Sequence, residues 1–247
     1  VASPTVAPSA TPLPPTETFT PIPSFTAVTG TPSADDPALR LGTPEDVDNF
    51  DDDDNWTTFP EGDNECFWSE ISDGKFSITA EGRIGLSCWE LSWPVVENFY
   101  LEFKVVMPET CAASEHANDR FGMVFRAPEN DKAYLYGITC GGMQTFTAWT
   151  GEETLQIVAP QRSSLIQTAP GSVNRVGILA EGTAFSFYIN GAKVAEATDD
   201  TFTDEGKFGF YVNAASEDGF TVAFDALSRW DLPQPTGTVT VTVTPTP

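Results

Sequence analysis

Basic side chains and histidine are scarce in this chain, and that scarcity narrows its chemistry more than any motif does. Of 247 residues only 12 are Lys or Arg, against 36 Asp or Glu, which leaves a formal net charge of −24. Such a surface repels phosphate backbones, because nucleic-acid affinity depends on Lys and Arg displacing counterions. It also disfavours docking on anionic lipid. Charge of one sign serves solubility through self-repulsion; cation binding or a salty medium is the sharper reading. The single histidine, His116, cannot build a His-rich metal site or fill several catalytic roles. No run of about 18 apolar residues is present to span a membrane. The chain begins at Val1, with no secretory leader, and reads as a processed or excised piece.

Cysteine is also sparse, with four in all: Cys66, Cys88, Cys111 and Cys140. None forms a C-x-x-C pair, which weakens zinc-ribbon and thioredoxin-like readings. An even number in an exported chain reads as a pair of disulfides, with three connectivities open. Cys66–Cys88 and Cys111–Cys140 are favoured because the members of each pair are close in sequence and could join neighbouring strands. Four buried thiols are the alternative. Export is thus inferred from the cysteines and from the composition of the chain ends, and the expected location is extracellular or cell-surface.

Those ends are low in complexity. Residues 1–42 are dominated by Pro, Thr, Ser and Ala, and repeated proline removes amide donors and favours extended chain. Such tracts serve as stalks, often O-glycosylated, or as plain linkers. Residues 233–247 repeat the theme, with Val239, Val241 and Val243 alternating with Thr at the period of a strand. A β-branched segment of that kind could add to the edge of another subunit's sheet, giving homo-assembly through the tails.

The body, residues 43–232, carries most of the 18 Phe and 6 Trp, which is the composition of a packed domain. Short alternating runs follow one another between turn residues: GKFSITA, FYLEFKVVM, RFGMVFRA, AYLYGIT, QTFTAWT, TLQIV, RVGILAEG, AFSFYING, KVAEA, KFGFYVNA and FTVAFDALSRWDL. Asn190-Gly191 marks a tight hairpin turn. About ten strands without an amphipathic helix predict an all-β fold, a jelly-roll β-sandwich in preference to a closed barrel.

Three stretches carry a family resemblance. The opening DNFDDDDNW leads to FYLEFKV; RFGMVFRAPENDKAYLYGITCGG forms the middle; AFSFYINGAKVAEATDDTFTDEGKFGFYVN with VAFDALSRW closes the body. Together they resemble the concanavalin A-like lectin/glucanase group, within it the LamG-like and 3-keto-disaccharide hydrolase-like domains of bacterial extracellular proteins. The resemblance covers residues 46–232 and implies a fold more firmly than an activity, since the group holds lectins, adhesion modules and hydrolases alike.

A glycosidase requires two carboxyl groups about 5–9.5 Å apart across a sugar. The glucanases that this chain resembles place them on one strand in an E-x-D-x-E-like run, and none occurs here. Glu152 and Glu153 are adjacent and would point to opposite faces; Glu97 and Glu102 lack even spacing. A 3-keto-glycoside hydrolase is left thinly supported by one histidine and no metal-ligand cluster, so no catalytic residue is assigned. Sugar binding by a β-sandwich uses flat aromatic faces and a few polar groups. Trp149, Tyr134, Tyr136 and Arg126 are the candidates: Trp149 alternates with Thr145 and Thr147, Tyr134 and Tyr136 share a face, and Arg126 alternates with Phe121, Met123 and Phe125. Packing in the core or at an edge is the competing reading for each aromatic. Asp48, Asp51 and Asp225 lie in the first and last parts of the body, which pair in such jelly rolls, and some relatives hold a structural Ca2+ there. Calcium takes six to eight oxygens, and no EF-hand spacing is present. The expectation is a surface module that binds carbohydrate or another cell-surface ligand, with assembly and hydrolysis as rivals.

Overall fold

The computed structural model describes residues 35–129 and 131–233. The stalk segment 1–34 and the alternating Val-Thr tail 234–247 lie outside the described residues, and with them the expectation of assembly through the tails.

Among the described residues fourteen strands build the domain. They are β1 (Asp46–Asp48), β2 (Phe67–Ser72), β3 (Lys75–Ala80), β4 (Ser87–Val96), β5 (Phe99–Val106), β6 (Arg120–Glu129) and β7 (Lys132–Thr139). Then come β8 (Met143–Trp149), β9 (Thr154–Arg162), β10 (Val173–Glu181), β11 (Ala184–Ile189), β12 (Ala192–Thr198), β13 (Gly206–Asn213) and β14 (Phe220–Asp231). The eight-stranded sheet runs β12-β11-β10-β5-β14-β3-β2, with β1 beside β14; the six-stranded sheet runs β4-β13-β6-β7-β8-β9. All pairings are antiparallel, and the two sheets stack face to face as a jelly-roll sandwich. The sequence runs mark most of these strands. They miss β1, which is three residues long, β2, and β4, whose Pro94 breaks the alternation on an edge strand.

Alternation explains the core. Phe121, Met123 and Phe125 of β6, Tyr134 and Tyr136 of β7, and Phe146 and Ala148 of β8 turn inward from the smaller sheet. They meet Phe99, Leu101 and Phe103 of β5 and Phe185 and Phe187 of β11 from the larger one. Near-parallel ring pairs lock the layers: Phe210 lies 3.8 Å from Phe224, and Tyr136 4.0 Å from Phe187, centroid to centroid. The Asn190-Gly191 turn has both residues at positive φ, 51° and 81°, as the twist of the β11–β12 hairpin requires.

Both disulfides form with the favoured pairing, Cys66–Cys88 and Cys111–Cys140, but neither joins neighbouring strands of one sheet. Cys66 precedes β2, the edge of the larger sheet, and Cys88 lies in β4, the edge of the smaller one. Cys111 lies in the 3-10 turn after β5 and Cys140 directly follows β7, so this bond too links segments that leave opposite layers. Proximity in sequence pointed to the pairs; only the topology shows that each bond crosses between the layers.

The sheets differ in what covers their outer faces. On the larger sheet, Tyr100, Tyr188 and Trp230 cluster, and Ala38 and Leu41 of the N-terminal segment pack on them. The Trp230 indole N–H donates to the Gly42 carbonyl at 3.0 Å. Asp36 caps the short helical turn Pro37–Arg40 and pairs with Arg175, which also pairs with Glu102. Residues 36–42 therefore lie against the body. On the smaller sheet's outer face Tyr211, Val124 and Leu135 are nearly fully buried, with the half-exposed Trp89 and Trp149 packed against them, and the candidate site lies between those two indoles.

Candidate functional site

The strand register dictates which side chains the smaller sheet turns outward. Across the smaller sheet, Trp89, Tyr211, Gly122 and Gly137 fall in one row, from β4 through β13 and β6 to β7. Leu91, Gly209, Val124, Leu135 and Thr147 fill the next row, reaching β8. Tyr211 reaches across its row: a Cβ at Gly137 would collide with its hydroxyl, and one at Gly122 would meet the backbone of β7. The glycines are thus the space that the tyrosine occupies. Tyr211, Leu91, Val124, Ala133 and Leu135 form a second apolar cluster outside the main core, and Trp89 and Trp149 pack against it half-exposed.

Between these tryptophans lies a cleft of about 360 Å³, lined by Gly85, Leu86, Ser87, Trp89, Arg120, Leu135, Thr147, Trp149, Thr154 and Asn213. Indole walls, an apolar floor and polar groups at the rim match what a pyranose presents, an apolar face edged by hydroxyls. Asn213 donates from Nδ2 to Ser87 Oγ at 3.0 Å, which fixes its amide at the rim. Arg120 is the one charged residue among the described lining residues, and its Nε is buried without a hydrogen-bond partner.

A second hollow of about 330 Å³ adjoins the first and shares Trp89; Thr57, Phe59, Asn64, Glu90, Leu91, Trp93 and Lys207 complete it. Trp93 is 58% exposed, and the Lys207 ammonium lies 4.9 Å from its ring centroid. Burial raises the Glu90 carboxyl to about 7, against the pull of a backbone hydrogen bond at Thr57 and the charge of Lys207.

The residues selected from sequence separate sharply. Trp149 stands on the outer face with Thr147, at the wall of the cleft. Tyr134 and Tyr136 do share a face, but it is the inner one, and both are fully buried. The Tyr134 hydroxyl donates to Asp199 at 2.6 Å, and Phe125, Phe146, Phe185 and Phe202 surround its ring. Tyr136 donates to Gln144 Oε1 at 2.6 Å. Neither can touch a sugar. Arg126 is a further correction. A β-bulge between Phe125 and Glu129 puts it at φ 47°, and its guanidinium swings over Phe185 at 5.2 Å. There it donates to the carbonyls of Glu97 and Phe202, so it is an internal clamp. A strand written as strict alternation does not reveal a bulge.

The calcium expectation falls on Asp48, Asp51 and Asp225. Strand β1 does pair with β14, but Asp48 is engaged within the chain: Oδ1 accepts from the Phe50 amide and Oδ2 from the Trp56 indole, each at 2.8 Å. These bonds seat Phe50 and Trp56 in the core, where Trp56 stacks on Phe210 at 5.2 Å. Asp51 lines an acidic hollow of about 510 Å³ beside β2, and Asp225 lies at the bulge of β14. Among the described residues no group of three or more His, Cys, Asp or Glu side chains gathers where a metal ion would be held.

Trp89, Arg120 and Asn213 escaped the sequence reading. Trp89 was detectable, since it alternates with Leu91 and Trp93 away from the half-cystine Cys88, but Pro94 hid the strand. Arg120 and Asn213 lie directly opposite each other across β6 and β13, a pairing that no local pattern gives.

No family model matches the chain, and no curated protein matches it. Solved structures do match. Carbohydrate binding module CBM66 from Bacillus subtilis is similar at TM-score 0.55 and 18% identity, over 72% of this chain and 96% of that one. A galectin-like protein of unknown function from Bacillus subtilis gives 0.56 and 11%, over 79% and 99%. A β-1,3-1,4-glucanase (lichenase) from a mouse hindgut metagenome gives 0.56 and 12%, over 76% and 99%. At such identities the likeness defines the fold alone, a concanavalin A-like jelly roll.

Proposed function

We propose that this chain is an extracellular glycan-binding module, whose ligand lies across the outer face of the smaller sheet between Trp89 and Trp149. One observation carries the reading: two half-exposed indoles flank a cleft with an apolar floor on the sheet face opposite the one that residues 36–42 cover. Structural neighbours of this fold include a carbohydrate binding module and glucanases, which accords with a glycan ligand. Two disulfides accord with an extracellular location. The adjoining hollow at Trp93 extends the surface along β4, which suits a chain of sugars better than a single ring. Stacking against an indole is lost on truncation, so Trp149→Ala should lower affinity on a glycan array about tenfold or more, with a melting temperature within about 3 °C of wild type. Equal retention of every glycan by both proteins would refute the assignment.

Hydrolysis is the second reading, and Glu90 is what favours it. A carboxyl held near 7 has the protonation a general acid needs. A second carboxylate facing it across a sugar is what the reaction also demands, and none lines either the main cleft or, besides Glu90, its neighbour among the described residues. Release of reducing ends from a bound glycan, abolished by Glu90→Gln, would establish this reading over binding alone.

A further inference from the structure

We propose, resting on the glycan reading above, that the cleft selects a sugar bearing a carboxylate and that Arg120 is its partner. Most other arginines of the described chain have an internal acceptor. Arg175 pairs with Asp36 and Glu102, Arg83 with Glu65, and Arg229 lies 3.8 Å from Asp231; the Nε atoms of Arg175 and Arg229 are also buried without a hydrogen bond, but each has a carboxylate within 4 Å. Arg126 and Arg162 donate to backbone carbonyls. Arg120 pairs with no carboxylate among the described residues, and its Nε is removed from water with nothing to bond.

A desolvated guanidinium N–H without an acceptor is costly, and a ligand that supplies one recovers that cost on binding. The Tyr211 hydroxyl on the same face is likewise buried without a partner, and the Arg120 charge acts on it. Tyr211 lies beside Arg120 on the strand pair, with Gly122 opposite it and Arg120 opposite Asn213. The planar N–H fork of arginine matches a carboxylate better than a hydroxyl or a single acceptor.

The overall charge of −24 works against any anion, and distance decides the outcome. Screening at physiological salt acts beyond about 8 Å, and the described lining of the cleft holds no Asp or Glu. One carboxylate seated at Arg120 therefore meets a local positive charge. A densely charged polyuronate would extend onto the acidic surface and be repelled. The ligand class is a largely neutral glycan carrying an isolated uronate or sialate, with neutral rings against the tryptophans.

The test compares matched probes by calorimetry: glucuronoxylan oligosaccharides and 3′-sialyllactose, each against its carboxyl-reduced counterpart, after a glycan array has ranked neutral and acidic glycans. Wild type is expected to prefer a carboxylate form by about 10–100-fold, the range for a hydrogen-bonded charged group. The preference should weaken as NaCl rises and collapse towards unity in both Arg120→Gln and Arg120→Lys, since lysine keeps the charge and loses the fork. Trp149→Ala should weaken both forms together and leave their ratio intact. Melting curves of the two Arg120 variants check that they fold. Preference for one probe family assigns the source as uronate or sialate. An array that returns only neutral glycans, with binding lost in Trp149→Ala, overturns the carboxylate inference and leaves the glycan reading standing. An array on which wild type retains nothing overturns both.

Discussion

Removing the Cys66–Cys88 bond with the double substitution Cys66→Ala, Cys88→Ala should weaken the fold and the site together. The bond closes a sequence separation of 22 residues. Loop-closure entropy for that length gives about 3 kcal/mol at 25 °C. A domain of this size loses roughly 2–4 °C of melting temperature per kcal/mol, so the expected fall is about 6–12 °C. Alanine retains a small apolar side chain, which limits the packing loss at the half-buried Cys66 and the buried Cys88. The site enters because β4 is an edge strand, paired to β13 alone, and Trp89 follows Cys88 directly. The bond ties that edge to the edge of the opposite sheet. Without it the Trp89 wall is held on one side only, and glycan affinity should fall along with stability. Scanning calorimetry gives the first quantity, isothermal titration the second, and thiol counting by mass spectrometry verifies the starting state. A double variant melting within about 2 °C of wild type would refute the reasoning, as would four alkylatable thiols in native protein without reductant.

Other outcomes follow from single residues. Arg126→Ala leaves the Glu97 and Phe202 carbonyls without their donor and opens a void beside Phe185; a loss of about 3–5 kcal/mol, read by urea denaturation, is expected, with any soluble remnant still able to bind glycan. Gly137→Ala drives a methyl into the Tyr211 hydroxyl and lifts the ring across the row beneath Trp89; overpacking of about 1–3 kcal/mol and weaker glycan binding should appear together in melting and titration. Glu90 titrates near 7 in the folded chain and at its ordinary value of 4.5 when unfolded, so the folded state holds the extra proton between those values. Stability from this group is therefore greatest at low pH and is lost as pH rises through about 7. The melting-temperature advantage of Glu90→Gln over wild type should grow between pH 5 and pH 8; a constant difference would count against a buried carboxyl.

How much of this was legible in the sequence differs residue by residue. Trp149 could be placed outward because its neighbours Phe146 and Ala148 are apolar at even spacing from each other and Thr145 and Thr147 are not, so the two faces of β8 read differently. Tyr134 and Tyr136 defeated the same logic. Strand β7 runs through the middle of its sheet and is buried throughout, so alternation there carries no sign for inside or outside. Arg126 was misplaced because a bulge shifts the phase of β6 after Phe125, and nothing local announces it. The work Asp48 does in seating Phe50 and Trp56, one hydrogen bond on each carboxylate oxygen, is likewise invisible in its residue type.

Short-range preferences account for the all-β sandwich, its strand periods and the Asn190-Gly191 hairpin, and closure of short loops favoured the pairs Cys66–Cys88 and Cys111–Cys140 while leaving the other connectivities open. Which outer face carries the site follows only from the assembled fold: residues 36–42 fold back over Tyr100 and Trp230, and among the described residues the half-exposed Trp89 and Trp149 pack on the buried outer residues of the other sheet. The tertiary structure alone brought Trp89, Arg120, Asn213 and Trp149 to one cleft, because they come from four strands whose register is set by long-range pairing. A site assembled across strands has no local signature; it exists only once the sheet is formed.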